Sequence, residues 1–338
     1  MLLMLMVAIV SFAVVIIFMP GTIKLLKEKG KIGIDVHKPD RPEIPKGGGF
    51  VFLFAIVSSI LAVIGVTTFL NGETNLGLLA ALVSILMAGM VGLLDDNLDF
   101  RNRTKVVLPI VASIPIMAMQ VGTTTMSIPF IGTLDLGILY PLLVVPLMMT
   151  FIIDSTNMYG GMNGLEATLA GINASAIVLF VFLRSVVLQD PITSGQNDAG
   201  IVAAALLGAT LGFLIFNWYP AKVLPGDVGR LALGATVASA LILGNMDRLA
   251  VMLYAPFMLN FILYIIYRIY VKRKDIGWTK FATPREDGTL EVVGPFTIYW
   301  LLPWLSKQIT ERTNVIALAI LQAVLAYGTV LVLIFPIF

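Results

Sequence analysis

The chain alternates long apolar runs with short polar interruptions, and most of the apolar runs share one length. A helix needs about 20 mostly apolar residues to cross the hydrocarbon core of a bilayer. Runs of that order occupy 2–20, 49–70, 77–94, 105–121, 138–153, 165–187, 199–216, 229–244, 248–271 and 314–337. The pattern predicts about ten transmembrane helices: an all-α polytopic membrane protein, with residues 1–338 forming a single domain. The fourth and fifth runs are shorter or interrupted by Pro109, Pro115, Pro141 and Pro146, so their ends are the least defined. Between them, residues 123–137 are rich in Thr, Ile, Gly and Pro and predict a short β-hairpin rather than helix. The first run, 1–19, has neither a basic leader nor a small-residue cleavage site and reads as a retained helix, not a signal peptide.

Composition agrees with this pattern and narrows the chemistry. Hydrophobic residues make up 58% of the chain and charged ones 12%, a balance that would leave a soluble domain with large apolar patches. Without Cys there are no disulfides, Cys-ligated metals or Cys nucleophiles. A single histidine, His37, argues against a His-rich metal site or a Ser-His-Asp triad.

The net charge of +2 matters less than where the charges fall. With ten spans, alternate loops face opposite sides. One side collects Lys24 to Lys46, Arg101 to Lys105, Lys222, Arg230 and the basic residues from Arg268 to Arg312. Only Arg184 and Arg248 of the 22 basic residues remain for the other side. Cytosolic loops carry such an excess, so the bias orients the chain with both termini outside and the hairpin extracytoplasmic.

The polar interruptions on the basic side carry the candidate chemistry. Asp95, Asp96 and Asp99 precede Arg101, Arg103 and Lys105 where span three meets span four, with Asp95 and Asp99 expected on one helix face and Asp96 about 100° away. Acids leaving a membrane helix bind a cation or pair with bases; a solvated loop anchored to headgroups is the simpler alternative. Asp154, Asn157, Gly160, Gly161, Asn163, Gly164 and Glu166 sit together between two apolar spans. Their amide and carboxylate oxygens suit a hard cation, and the amides also suit a base or sugar; a cap and turn would need only the glycines. The Pro225-Gly226-Asp227 turn places one carboxylate at the start of span eight, as a helix cap or beside a phosphate. The loop 272–312 contains Lys280, Arg285 and a stretch, 295–307, with Trp300 and Trp304 that reads as an amphipathic interfacial helix. Asp35, His37, Lys38 and the Lys46-Gly47-Gly48-Gly49 run form a weaker fifth element. Oxygen ligands for Mg²⁺ among cations for phosphate, beside wide apolar walls, are what phosphoryl transfer to a lipid needs.

At these segments the chain resembles the polyprenyl-phosphate N-acetylhexosamine-1-phosphate transferases (glycosyltransferase family 4). The likeness spans nearly the whole chain and four motifs in the family's order. It implies transfer of a sugar-1-phosphate from a UDP-N-acetylhexosamine to a polyprenyl or dolichyl phosphate, with release of UMP. By the same resemblance Asp95, Asp96 and Lys105 would be catalytic, and Asn157 and Asp227 would hold Mg²⁺, with Mn²⁺ as an alternative. Asn163, Gly164, Leu165 and Glu166 would hold the uridine, with Lys222 and Arg285 as further substrate-binding residues and 272–312 as a covering loop. Pro284-Arg285 followed by Gly288-Thr-Leu-Glu291 is similar to the GlcNAc-1-phosphate branch; no His follows residue 37, unlike the muramoyl-pentapeptide branch. These features together suggest an archaeal enzyme of the plasma membrane, active on the cytosolic face. Expected partners are membrane lipids and a second copy of the chain in a homodimer, with no nucleic acid. Leu224, Val228 and Asp154 depart from the family pattern at positions that touch nucleotide and metal. The competing class, a secondary transporter or lipid flippase, would place ionisable residues near mid-membrane, whereas here they collect at one face.

Overall fold

The computed structural model describes residues 1–120, 122–129 and 132–335, which form eleven α-helices and three two-stranded antiparallel ribbons, the first pairing β1 (Ile32–Ile34) with β2 (Glu43–Pro45). Among the described residues nine helical segments are long and apolar enough to cross a membrane. They are α1 (Leu2–Glu28), α2 (Gly49–Asn71), α3 (Leu76–Leu98), α5 (Val145–Met158, entered through a π-helical turn at Tyr140–Val144), α6 (Leu165–Val186), α7 (Ser194–Asn217), α8 (Gly226–Leu243), α9 (Asp247–Lys274) and α11 (Glu311–Ile334). The expected tenth span is α4 (Asn102–Ala118), of 17 residues. At 1.5 Å per residue it reaches about 26 Å, just short of the usual core thickness. It stops before the predicted boundary because Gln120 turns the chain with φ 48°. Helix α11 starts three residues early, since the Thr310 hydroxyl accepts the Thr313 N–H at 3.3 Å and draws Glu311 into the first turn.

The hairpin is present as β3 (Thr125–Ile128) and β4 (Gly132–Asp135), paired Thr125↔Asp135 through Ile128↔Gly132. The Ser127 N–H donates to Asp247 at the start of α9 (3.0 Å), and the Tyr140 hydroxyl to the same carboxylate (2.9 Å). The amphipathic stretch shortens to α10 (Ile298–Leu305). Trp304 is 52% exposed, but Trp300 is 1% exposed with its ring 5.2 Å from that of Tyr267, so it packs inside the protein and does not anchor it to a membrane.

Helix α8 lies at the centre, and its small residues set the packing. A Cβ on Gly234 would strike the α5 backbone at Ile153, one on Gly229 would strike Gly49 of α2, and one on Gly92 of α3 would strike the Asp227 backbone. With no hydrophobic drive between helices in lipid, close backbone approach at small residues supplies the cohesion. Further from the loops, Gln322 of α11 donates to Asn173 of α6 (2.6 Å) and to the Leu253 carbonyl of α9 (3.0 Å), linking three helices by a buried amide.

Candidate active site

The first turn of α8 has N–H groups with no partner inside the helix. One of them, on Val228, donates to Asp96 Oδ2 of α3 at 3.0 Å, so one helix caps another. Lys46, just ahead of α2, lies 2.9 Å from Asp96 Oδ1. The neighbouring Asp95 is buried, 2.9 Å from Lys105 Nζ of α4, and accepts the Phe100 N–H at 3.0 Å. Consecutive helical residues point about 100° apart, which is why each aspartate of the pair meets its own lysine. Asp99 is no longer helical: it ends α3 in the left-handed region (φ 47°) and is exposed, so it does not share a helix face with Asp95. Lys105 nevertheless reaches both, with Asp99 at 3.4 Å.

Asp227 stands in the first turn of α8 without being its cap residue and faces Arg230 at 3.6 Å. Arg230 Nε donates to Glu166 at 2.9 Å, and the same Glu166 oxygen accepts the Gly161 N–H at 2.8 Å. Glu166 is almost fully buried, so removing either partner strands a charge, at a cost of roughly 3–5 kcal/mol. Asp154 and Asn157 are half-buried on the last turn of α5, three residues apart and therefore on one face. Their side chains make no hydrogen bond or ion pair among the described residues. Helices α5 and α8 run antiparallel and touch at Ile153 and Gly234, so one turn further toward the basic end brings Asn157 level with Arg230.

Asn163, expected to be open to a ligand, is 2% exposed and wholly engaged within the protein. Its Oδ1 accepts from Lys38 Nζ (2.6 Å) and the Ala221 N–H (2.9 Å), its Nδ2 donates to Asp35 (3.1 Å), and its backbone N–H donates to Glu311 (2.7 Å). Gly164 follows with φ 75°, the left-handed entry to α6 that glycine adopts without strain, and Leu165 is buried behind it. Lys222 is exposed, with no ion pair or hydrogen bond from its side chain among the described residues. Arg285 lies in the ribbon of β5 (Thr283–Pro284) and β6 (Leu290–Glu291), bound to the Lys307 carbonyl (3.2 Å) and Glu291 (3.4 Å). It does not join the aspartates.

The cation that the covering loop does bring to them is Lys280, a residue of the candidate loop to which the sequence alone assigns no role. Its ammonium is drawn below the ordinary lysine range, first by partial desolvation and next by Arg230; Lys105 and Lys46 act the same way while Asp227 opposes them. Lys46, in the fifth and weaker element of the sequence, likewise has no role assigned by the sequence alone. The one available signal was a lysine beside each packing feature: Lys46 before three glycines, Lys280 before Phe281, whose ring lies against Gly161. The site thus gathers Lys46, Lys105, Arg230 and Lys280 around Asp95, Asp96, Glu166 and Asp227. Equal numbers of fixed cations and carboxylates make a place where bound phosphate and its counter-ion can be exchanged for internal ion pairs. Among the described residues no three His, Asp or Glu side chains form a ready-made metal cluster.

These features define a polytopic membrane protein whose charged site lies at one end of its helical bundle. The chain belongs to glycosyl transferase family 4, whose model matches residues 78–245. A protein of Sulfolobus acidocaldarius with the provisional name UDP-N-acetylglucosamine–dolichyl-phosphate N-acetylglucosaminephosphotransferase is 36% identical over 75% of each chain. The Dictyostelium discoideum UDP-N-acetylglucosamine–dolichyl-phosphate N-acetylglucosaminephosphotransferase is 26% identical over 90% of this chain and 81% of its own. The phospho-N-acetylmuramoyl-pentapeptide-transferase of Shouchella clausii is 33% identical over 78% of this chain and 82% of its own.

Proposed function

We propose that the protein transfers N-acetylglucosamine-1-phosphate from UDP-GlcNAc to a dolichyl or polyprenyl phosphate and releases UMP, at the cytosolic face of the plasma membrane. The observation that carries this reading is the charge-balanced cluster that Asp96 builds by capping α8 while Lys46, Lys105, Arg230 and Lys280 converge on it. The acceptor is amphipathic, with its phosphate at the bilayer surface, and the cluster sits where membrane helices meet their basic loops. Names of relatives in both the archaeal and the eukaryotic branch support the choice of sugar and of lipid.

In the reaction an oxygen of the lipid phosphate bonds to the phosphorus that carries the sugar. The bond from that phosphorus to the oxygen of UMP breaks, and UMP leaves with the electron pair. A lipid phosphate is already ionised near neutral pH, so no strong base is required. Lys105 exchanges part of its pairing with Asp95 for the incoming lipid phosphate and holds it in line. Arg230, steadied by Glu166, and Lys280 from above neutralise the diphosphate. Asp95 and Asp96 orient the lysines and the α8 terminus. Because the lipid phosphate is already an ionised nucleophile, direct displacement is favoured over prior attack by an aspartate.

Divalent metal fits the residues present. Asp227 and Asn157 offer oxygens at the same end of α8 and α5, with Asp154 close by, and Mg²⁺ needs only one or two protein oxygens when substrate phosphates complete its shell. Held there, it would supply charge stabilisation for the diphosphate.

Detergent-purified protein with UDP-GlcNAc, dolichyl phosphate and Mg²⁺ is expected to release UMP only when lipid and metal are both present. If the folded protein releases no UMP across a panel of UDP-sugars and polyprenyl phosphates, the proposal fails.

A further inference from the structure

Away from the reacting groups, the most fully connected polar unit is the buried group around Lys38. Its ammonium contacts Asp35, Glu311 (3.1 Å) and Asn163 (2.6 Å), and lies 4.6 Å from the centre of the Tyr219 ring. Four parts of the chain meet here: the loop before α2, the turn between α5 and α6, the loop leading to α8, and the first turn of α11. Each contact requires one orientation of the Asn163 amide. Lys38 and the Ala221 N–H can only donate, so they demand its oxygen; the Asp35 carboxylate only accepts, so it demands the nitrogen. Glu311 then takes the Asn163 backbone N–H with one oxygen and Lys38 with the other.

This unit is the junction between the covering loop and the floor beneath it. Glu311 directly follows the loop, whose near end pairs with the β5–β6 ribbon through Leu290 N–H to Ile309 O (2.9 Å). Phe281, from the far side of the loop, sits edge-on to His37 at 5.6 Å and against Gly161. From Asn163 the path continues through the glycine turn to Glu166, Arg230 and Asp227.

We propose that Lys38 and Glu311 are positioning residues: a buried latch that seats the covering loop on the Gly160–Gly164 turn and so shapes the nucleotide-sugar subsite, without touching substrate. The role rests on the transferase reading, but the seating of the loop can be measured without turnover.

The test uses full-length Lys38→Met and Glu311→Gln proteins in detergent, the second keeping an acceptor for Asn163 should the first fold poorly. Trypsin cleavage at Lys280 and Arg285 is followed with and without UMP, beside KM for each substrate. The latch predicts faster cleavage, weakened protection by UMP, and KM for UDP-GlcNAc raised by about tenfold or more with KM for the lipid changed less than about twofold. Gln322→Leu, which breaks a buried amide link deep in the bundle, serves as the control for general damage and should lower Tm alone. If the two latch variants lower Tm like Gln322→Leu and leave cleavage and both KM values unmoved, Lys38 and Glu311 are ordinary structural residues and the proposal is wrong. Absence of UMP release from the unmodified protein would instead defeat the transferase reading, while the cleavage rates still decide the latch.

Discussion

The two ends of the helical bundle both carry polar residues, yet they are built differently. At the end opposite the charged cluster lies a cleft of about 710 Å³, lined by Glu73, Asn75, Thr123, Thr193, Asp198 and Asn245 among others. Its polar groups are amides, hydroxyls and two carboxylates, and no lysine or arginine lines it. Asn75 donates to Asp198 at 2.7 Å, and Asn245 accepts the Thr123 N–H at 2.8 Å. At the basic end Asp95, Asp96 and Glu166 are each matched by a cation from another segment at 2.9 Å, and Asp227 by Arg230 of its own helix. A phosphate approaching the cleft meets uncompensated negative charge; one approaching the cluster meets cations it can share. Cavity size therefore does not identify the place for phosphate chemistry, whereas the pairing of charge does.

Mutations can break that contrast. Asp227→Ala removes the proposed metal oxygen and the partner of Arg230, and should lower UMP release by about three orders of magnitude, with added Mg²⁺ failing to restore it. Lys105→Ala and Lys46→Ala should each cost about a hundredfold in kcat/KM, the former mainly through the lipid and the latter through both substrates. Equal, small losses would mean that the lysines only balance the aspartates. Lys280→Ala should raise KM for UDP-GlcNAc by about tenfold while the lipid KM stays put, because this lysine arrives with the covering loop.

Stability should also depend on acid at the basic end. Burial holds His37 near a pKa of about 4, against an ordinary 6.5, although Asp35 pulls the other way. The folded protein thus keeps His37 neutral where the unfolded chain would protonate it. Its contribution is complete above pH 6.5 and is lost as pH falls toward 4, so Tm should drop through that window and drop less in His37→Gln. The smallest effect should come from the other end: Asp198→Asn keeps a partner for Asn75 and should leave UMP release within about twofold, and a larger loss would sink the contrast between the two ends.

Much of this was legible along the chain. Nine helices, the β3–β4 hairpin and the grouping of basic loops follow from apolar run length and loop charge, because the bilayer demands internally hydrogen-bonded spans of a set length. Asp95, Asp96, Lys105 and Asp227 stood out because charged residues at the ends of apolar spans are few. The sequence does not show that Asn163 and Arg285 are engaged in internal contacts, and it misled at Trp300, which is buried rather than interfacial. It showed Lys46 and Lys280 without a role for either, since a lysine in a basic loop looks the same whether it faces water or an aspartate.

What the sequence determined by itself is therefore the class of molecule, the helical spans and the acids on the basic side, each a local property of a short window. Which lysine meets which aspartate, that α3 caps α8, and that Lys38 joins the loop before α2 to the start of α11 were decided only by tertiary structure. Those pairings join residues as much as 273 positions apart. They depend on backbone approach at Gly49, Gly92 and Gly229, where helices come close enough for side chains on different segments to meet.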